Sequence, residues 1–179
     1  YGFFSVCVNS GYVPLVAQAL KGSEVKVCTV VGFPLGAMST QGKLHEASTA
    51  LAEGADEVDM VINLGLLLSG QTAKVRDEIA LLKKETADKV LKVIIETCYL
   101  TDEQKCLASQ LCVDAGADFV KTSTGFGTGG ATLADVQLIK EVVGDKALIK
   151  ASGGIRDRET ALQYIALGVS RIGASAILV

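Results

Sequence analysis

The stretch Ala115-Gly116-Ala117-Asp118-Phe119-Val120-Lys121-Thr122-Ser123-Thr124-Gly125 holds a complete helix-to-strand junction and its exit loop. A helix ends at Gly116, where glycine suits the left-handed conformation that closes helices. An apolar strand follows from Asp118 to Ser123 and opens into a glycine-rich loop. The pattern recurs in Glu53-Gly54-Ala55-Asp56-Glu57-Val58 and in Leu167-Gly168-Val169-Ser170-Arg171-Ile172. Three such junctions in register predict repeated βα units and a parallel sheet.

Working outward, strands and helices alternate along the whole chain. Strands are expected at Phe4 to Val8, Val25 to Val31, Glu57 to Ile62, Leu91 to Glu96, Asp118 to Ser123, Ala147 to Ala151 and Ser170 to Ala174. Helices are expected at Pro14 to Leu20, Thr40 to Glu53, Ala73 to Asp88, Thr101 to Ala115, Leu133 to Val143 and Asp157 to Leu167. Thr101 with Gln104 has the spacing of a capping box. Seven strands fall one short of a (β/α)8 barrel, which usually needs more than ~200 residues. The chain has 179 residues and begins at Tyr1, inside a helix-to-strand junction. The expectation is a single α/β domain over residues 1–179. It is a TIM barrel truncated at both ends, lacking its first strand and its final helix. A complete open doubly wound sheet explains the strand count equally well. The chemistry-bearing motifs favour the barrel.

Composition narrows the function classes. Hydrophobic residues make up 49% of the chain, with no tryptophan and 19 glycines, a mixture suited to buried parallel strands wrapped by helices. The net charge of -3, without a basic stripe, argues against nucleic acid and membrane as partners. Cys7, Cys28, Cys98, Cys106 and Cys112 are odd in number and sit partly in apolar runs, which predicts reduced thiols and a cytoplasmic protein. The absence of a CxxC pair and the single histidine, His45, argue against a zinc site. His45 reads as a surface or packing residue.

Two lysines end apolar strands: Lys121, and Lys150 in Ala147-Leu148-Ile149-Lys150-Ala151-Ser152-Gly153-Gly154. Burial lowers a lysine's pKa, and a neutral amine is the form that attacks carbonyls. Alternation puts Phe119, Lys121 and Ser123 on one strand face, and Leu148, Lys150 and Ser152 on one face of the other. If the strands are neighbours, both amines enter one barrel mouth, at the carboxyl ends where active sites lie. The competing reading is that each lysine reaches past the strand end to water. Asp59, inside Glu57-Val58-Asp59-Met60-Val61-Ile62, needs a cationic partner. It reads either as part of a proton relay with the lysines or as a structural ion pair. Asp56 and Glu57 are expected at a solvated helix end. Thr124-Gly125-Phe126-Gly127, Ser152-Gly153-Gly154-Ile155-Arg156 and Ile172-Gly173-Ala174-Ser175 offer backbone amides, with helix N-termini beyond, for a phosphorylated ligand. Arg156 reads equally as added charge or as a surface arginine. Cys7, at the end of the first strand, could face the site, but reads first as a small buried hydrophobe.

Six ordered segments together resemble the deoxyribose-phosphate aldolase family, class I aldolases on a TIM barrel. They are Ser5-Val6-Cys7-Val8, Val31-Gly32-Phe33-Pro34-Leu35-Gly36, Gly54 to Asn63, Lys92-Val93-Ile94-Ile95-Glu96-Thr97, Phe119 to Phe126 and Ile149 to Arg156. The resemblance implies that Lys121 forms the Schiff base, that Lys150 lowers its pKa, and that Asp59 serves in the proton relay. It implies a phosphate pocket lined by Gly125, Gly153, Gly154, Gly173 and Ser175, with Cys7 near the substrate. The implied reaction is reversible cleavage of 2-deoxy-D-ribose 5-phosphate to acetaldehyde and D-glyceraldehyde 3-phosphate. The imine nitrogen is the electron sink, so no metal or other cofactor is called for. The implied partner is a phosphorylated sugar, and a homo-oligomer is allowed. The chain departs from the family in lacking a first-strand aspartate and in having Ala176 after Ser175, where a second serine is usual. Another lysine-dependent aldolase of a phosphorylated sugar, or a non-catalytic phosphate-binding barrel fragment, stays open at this point.

Overall fold

The structure, a computed structural model, describes residues 2–175. Seven strands form one sheet in sequence order, every neighbouring pair parallel. They are β1 (Ser5–Asn9), β2 (Lys26–Val31), β3 (Glu57–Val61), β4 (Val90–Ile94), β5 (Phe119–Lys121), β6 (Leu148–Ser152) and β7 (Arg171–Gly173). The helices are α1 (Val13–Ala19), α2 (Thr40–Ala52), α3 (Leu64–Leu68), α4 (Thr72–Thr86), α5 (Asp102–Asp114), α6 (Leu133–Val143) and α7 (Arg158–Ala166). The predicted strands and the six predicted helices are all present, with ends shifted by a residue or two. The addition is α3, too short and glycine-broken to show a helical period. The Asn63 side chain accepts a bond from the Leu66 amide to start it, and Leu67 buries its apolar side.

Helix starts follow the sequence closely. Ser39, Thr101, Thr132 and Asp157 each accept a backbone N–H of the first turn of α2, α5, α6 and α7. The capping box of Thr101 and Gln104 is complete. Such caps are each worth about 1 kcal/mol.

The two faces of the sheet do different work. Outward residues Val58, Met60, Leu91, Val93, Val120 and Ile149 pack against Val75, Ile79, Leu82, Ala108, Val136 and Ile139 of the helices. Each large side chain buried there contributes about 1.5–3 kcal/mol. The inward residues alternate with these and are largely charged: Glu57, Asp59, Lys92, Lys121 and Lys150 are all buried. The sheet curls so that strands distant in its order meet across the inside. Lys150 on β6 reaches Asp59 on β3, and Arg171 on β7 reaches Glu57 on β3 at 3.0 Å. Arg171 also stacks over the Phe4 ring, 3.7 Å from its centroid, just before β1.

Candidate active site

Register places the lysines. Lys121 and Lys150 are directly paired across β5 and β6, as Asp59 and Lys92 are across β3 and β4. All four therefore enter the interior. Asp59 is fully buried and is the hub. Its Oδ2 accepts from Lys121 Nζ at 2.8 Å and from Lys150 Nζ at 2.7 Å. Its Oδ1 accepts from Lys92 Nζ at 2.8 Å and from the Cys28 thiol at 3.3 Å. Lys92 also donates to Glu57 Oε2 at 2.7 Å, and Glu57 in turn accepts from Arg171. Four cations thus surround two carboxylates in a space almost closed to water.

The shared carboxylates set the charge of Lys92 and Lys150. For Lys150, burial does pull the ammonium down, but Asp59 outweighs it and the pKa stands above its ordinary value. Lys92 is raised for the same reason, with Glu57 adding to Asp59. Burial pushes Asp59 up, yet the charges of Lys121, Lys150 and Lys92 hold it well below the usual carboxylate range. Glu57 is held down by Lys92 and Arg171 against its own burial. The expectation of a solvated Glu57 is overturned: it is 3% exposed and sits inside the sheet. Alternation with Asp59 was the signal, since residues two apart share a strand face. Lys92, between Leu91 and Val93, carried the same signal as Lys121 and was missed. Arg171 was missed too, because β7 is short.

A cavity of about 590 Å³ opens above the ion network at the carboxyl ends of the strands. Lys121 and Lys150 form its floor, with Asp59 beneath them. Cys7 lines the wall and is exposed, which corrects its reading as a buried packing residue. Its thiol is acidic, down to about 7, chiefly through the neighbouring Cys28 thiol, with Lys150 and Lys121 adding to the effect. Phe33 and Phe126 meet edge to face at the rim, 5.4 Å between ring centroids.

Gly125, Gly153, Gly154, Gly173 and Ser175 line the other side of the cavity, as does exposed Arg156. Gly153 and Gly154 have φ of 85° and 80°, which turns the chain sharply after β6 and suits glycine alone. Gly130 packs against Gly153 so tightly that a β-carbon would lie 2.2 Å from the Gly153 carbonyl oxygen. This contact braces the loop after β5 against the loop after β6. Beyond the loops after β5 and β6, the first turns of α6 and α7 are capped by Thr132 and Asp157. Glu96, at φ 54°, ties down the loop after β5 by accepting from the Thr124 amide at 3.0 Å and from the Thr124 hydroxyl. Ala176 lies outside the described residues. His45 is exposed, as expected.

Among the described residues, Cys7, Cys28 and Asp59 bring possible metal ligands within 4.8 Å of one another. A cation already stands there, the Lys92 ammonium at 3.6 Å from Cys28 Sγ and 2.8 Å from Asp59 Oδ1.

A parallel sheet curled around facing lysines, with a cavity at its carboxyl ends, defines an aldolase on a TIM-barrel-type α/β scaffold. The chain belongs to the DeoC/LacD family of aldolases, whose family model matches residues 2–177. It is 58% identical over 176 residues to a protein of Finegoldia magna named deoxyribose-phosphate aldolase, covering 98% of this chain and 83% of that one. A solved structure described as an aldolase superposes with a TM-score of 0.93 at 46% identity, over 96% of this chain and 77% of that one. A tetrameric deoxyribose phosphate aldolase from Aeropyrum pernix superposes at 0.88 with 34% identity, over 98% of this chain and 75% of that one. Among the described residues no helix is long and apolar enough to cross a membrane.

Proposed function

We propose that this site cleaves 2-deoxy-D-ribose 5-phosphate to acetaldehyde and D-glyceraldehyde 3-phosphate, and runs the reverse, with Lys121 as the Schiff-base nucleophile. The observation that carries the reading is the sharing of Asp59 Oδ2 by Lys121 and Lys150 at the floor of the cavity. Four cations against two carboxylates leave the network able to release one proton while every carboxylate stays paired. Lys121 borders the cavity, while the raised Lys92 and Lys150 stay charged beside it.

In the synthetic direction Lys121 Nζ attacks the acetaldehyde carbonyl carbon and water leaves as the imine forms. The methyl carbon then loses a proton, and the electrons flow toward the imine nitrogen to give an enamine. Asp59 and Lys150 are the groups placed to pass that proton. The enamine carbon attacks the aldehyde of glyceraldehyde 3-phosphate, and hydrolysis frees Lys121. The phosphate is assigned to the loop amides around Gly125, Gly153 and Gly154 and to the segment Gly173 to Ser175. Cys7 lies on the substrate wall. The odd cysteine count and the cysteines within apolar runs support a reducing compartment, and with it a cytoplasmic reaction.

Borohydride reduction in the presence of acetaldehyde tests the assignment. The peptide carrying Lys121 should gain an ethyl group, and Lys121→Arg should abolish the adduct, because guanidinium stays protonated. Label on Lys150 with none on Lys121 would overturn the assignment. Phosphorylated deoxyribose should also be cleaved far faster than deoxyribose itself, and equal rates would remove the phosphate role.

A further inference from the structure

Cys7 and Cys28 face one another across β1 and β2, and the aldol chemistry uses neither sulfur as a nucleophile. They are register partners on adjacent parallel strands, and both point inward. Adjacent strands lie about 4.8 Å apart. That spacing falls within the roughly 4.4–6.8 Å between α-carbons that a disulfide spans. The two sulfurs already lie within 4.8 Å of each other, so side-chain rotation suffices to join them. The pair is asymmetric. Cys7 is exposed to the cavity, whereas Cys28 is buried behind it.

We infer that Cys7 and Cys28 form a reversible dithiol–disulfide pair, oxidised by hydroperoxides that enter the cavity, and that its closure turns the aldol site off. The acidity of Cys7, which sits at about 7 beside the Cys28 thiol, supplies the thiolate that such chemistry needs at neutral pH. The neighbouring Cys7 and burial keep Cys28 protonated. The Cys7 thiolate attacks a peroxide oxygen and the O–O bond breaks. The departing alkoxide or hydroxide takes up a proton, and Cys7 becomes a sulfenic acid. Cys28 Sγ then attacks the Cys7 sulfur, its proton leaves with the hydroxide as water, and the S–S bond forms. In sum, two thiols and one hydroperoxide give one disulfide, one alcohol (or water) and one water. An external dithiol reverses the change by exchange.

Closure reaches the ion network through Cys28. Its thiol donates to Asp59 Oδ1 at 3.3 Å and lies 3.6 Å from Lys92 Nζ. A disulfide has no proton to donate and draws the sulfur toward β1. Asp59 then loses one of its partners while Lys121 and Lys150 still depend on it.

The test treats the purified chain with hydrogen peroxide, alkylates the remaining thiols and digests it without reduction. The expected result is a peptide joining Cys7 to Cys28, with loss of most of the lyase activity, both reversed by dithiothreitol. Cys28→Ala should instead accumulate a Cys7 sulfenic acid that dimedone traps, and should proceed to oxidation that dithiothreitol cannot reverse. Absence of the joined peptide, or identical oxidation of wild type and Cys28→Ala, would overturn the pair. A joined peptide with an unchanged rate would overturn the switch. The peptide measurement needs no substrate, so its outcome stands apart from that of the aldolase assignment.

Discussion

Replacing Asp59 with asparagine should remove the one group that three lysines share. The carboxylate is fully buried and takes Lys121 and Lys150 on Oδ2 and Lys92 on Oδ1. Asparagine keeps one acceptor oxygen but turns an N–H2 group toward an ammonium on its other side. Counting Arg171 and Glu57 as well, four cations against two carboxylates become four against one. Breaking a buried pair in this way costs about 3–5 kcal/mol, and the burial of every partner leaves little solvent to screen it.

The pH dependence gives the reasoning its sign. In the wild type, the depressed Asp59 contributes in full above the ordinary carboxylate value near ~3.9 and loses that contribution only as pH falls through its lower folded value. Lys92 and Lys150, both raised, contribute in full below the ordinary lysine value near ~10.4 and lose it as pH rises through their higher folded values. Between those limits these groups make wild-type stability flat. In Asp59→Asn, Lys150 loses the carboxylate that outweighed its burial and is driven below its unfolded value, while Lys92 keeps Glu57. The folded variant then binds fewer protons than the unfolded chain, so its stability should climb between about pH 7 and pH 10. Urea unfolding followed by far-UV circular dichroism across that range measures the gap. A gap under about 1 kcal/mol at pH 7, or one that stays constant to pH 10, would refute the account of Asp59 as the hub. Turnover should also fall by about 10²–10⁴ if Asp59 carries the proton.

Gly173→Ala should lower both kcat/KM and Tm, because the added carbon would lie 2.9 Å from the buried Ser152 Cβ, which must shift, and 3.2 Å from Lys150 Cε. Unchanged kinetics would show that Lys150 can be displaced freely. Lys43→Met should destabilise the fold by about 3–5 kcal/mol and leave the site intact. Lys43 is fully buried, pairs with Glu78 at 2.6 Å and bonds the Val61 carbonyl at 2.8 Å, so its loss strands both partners. Calorimetry with an activity assay on the folded fraction separates the two effects, and a loss below about 1 kcal/mol would make the pair dispensable.

Much of this protein is written locally. The caps at Thr101 and Asp157 and the alternating strands depend on neighbours a few residues apart, so the order of elements and the parallel sheet were readable from the chain. So was the placing of Lys121 and Lys150 on matching strand faces, because side-chain alternation is a property of a single strand. The sequence could not show which charges meet. Asp59 and Lys150 are 91 positions apart, and Glu57 and Arg171 are 114 apart. Their contacts exist only because the sheet curls. The same closure decides the protonation of the site. A lone buried lysine is pushed toward neutrality, whereas Lys92 and Lys150, gathered around shared carboxylates, are held charged. Cys7 also changed from a packing residue to a cavity thiol only once β2 stood beside β1 and the mouth opened over both. Desolvation follows from one strand's own sequence pattern, but Coulomb energy depends on distance through space, and only the tertiary structure sets that distance.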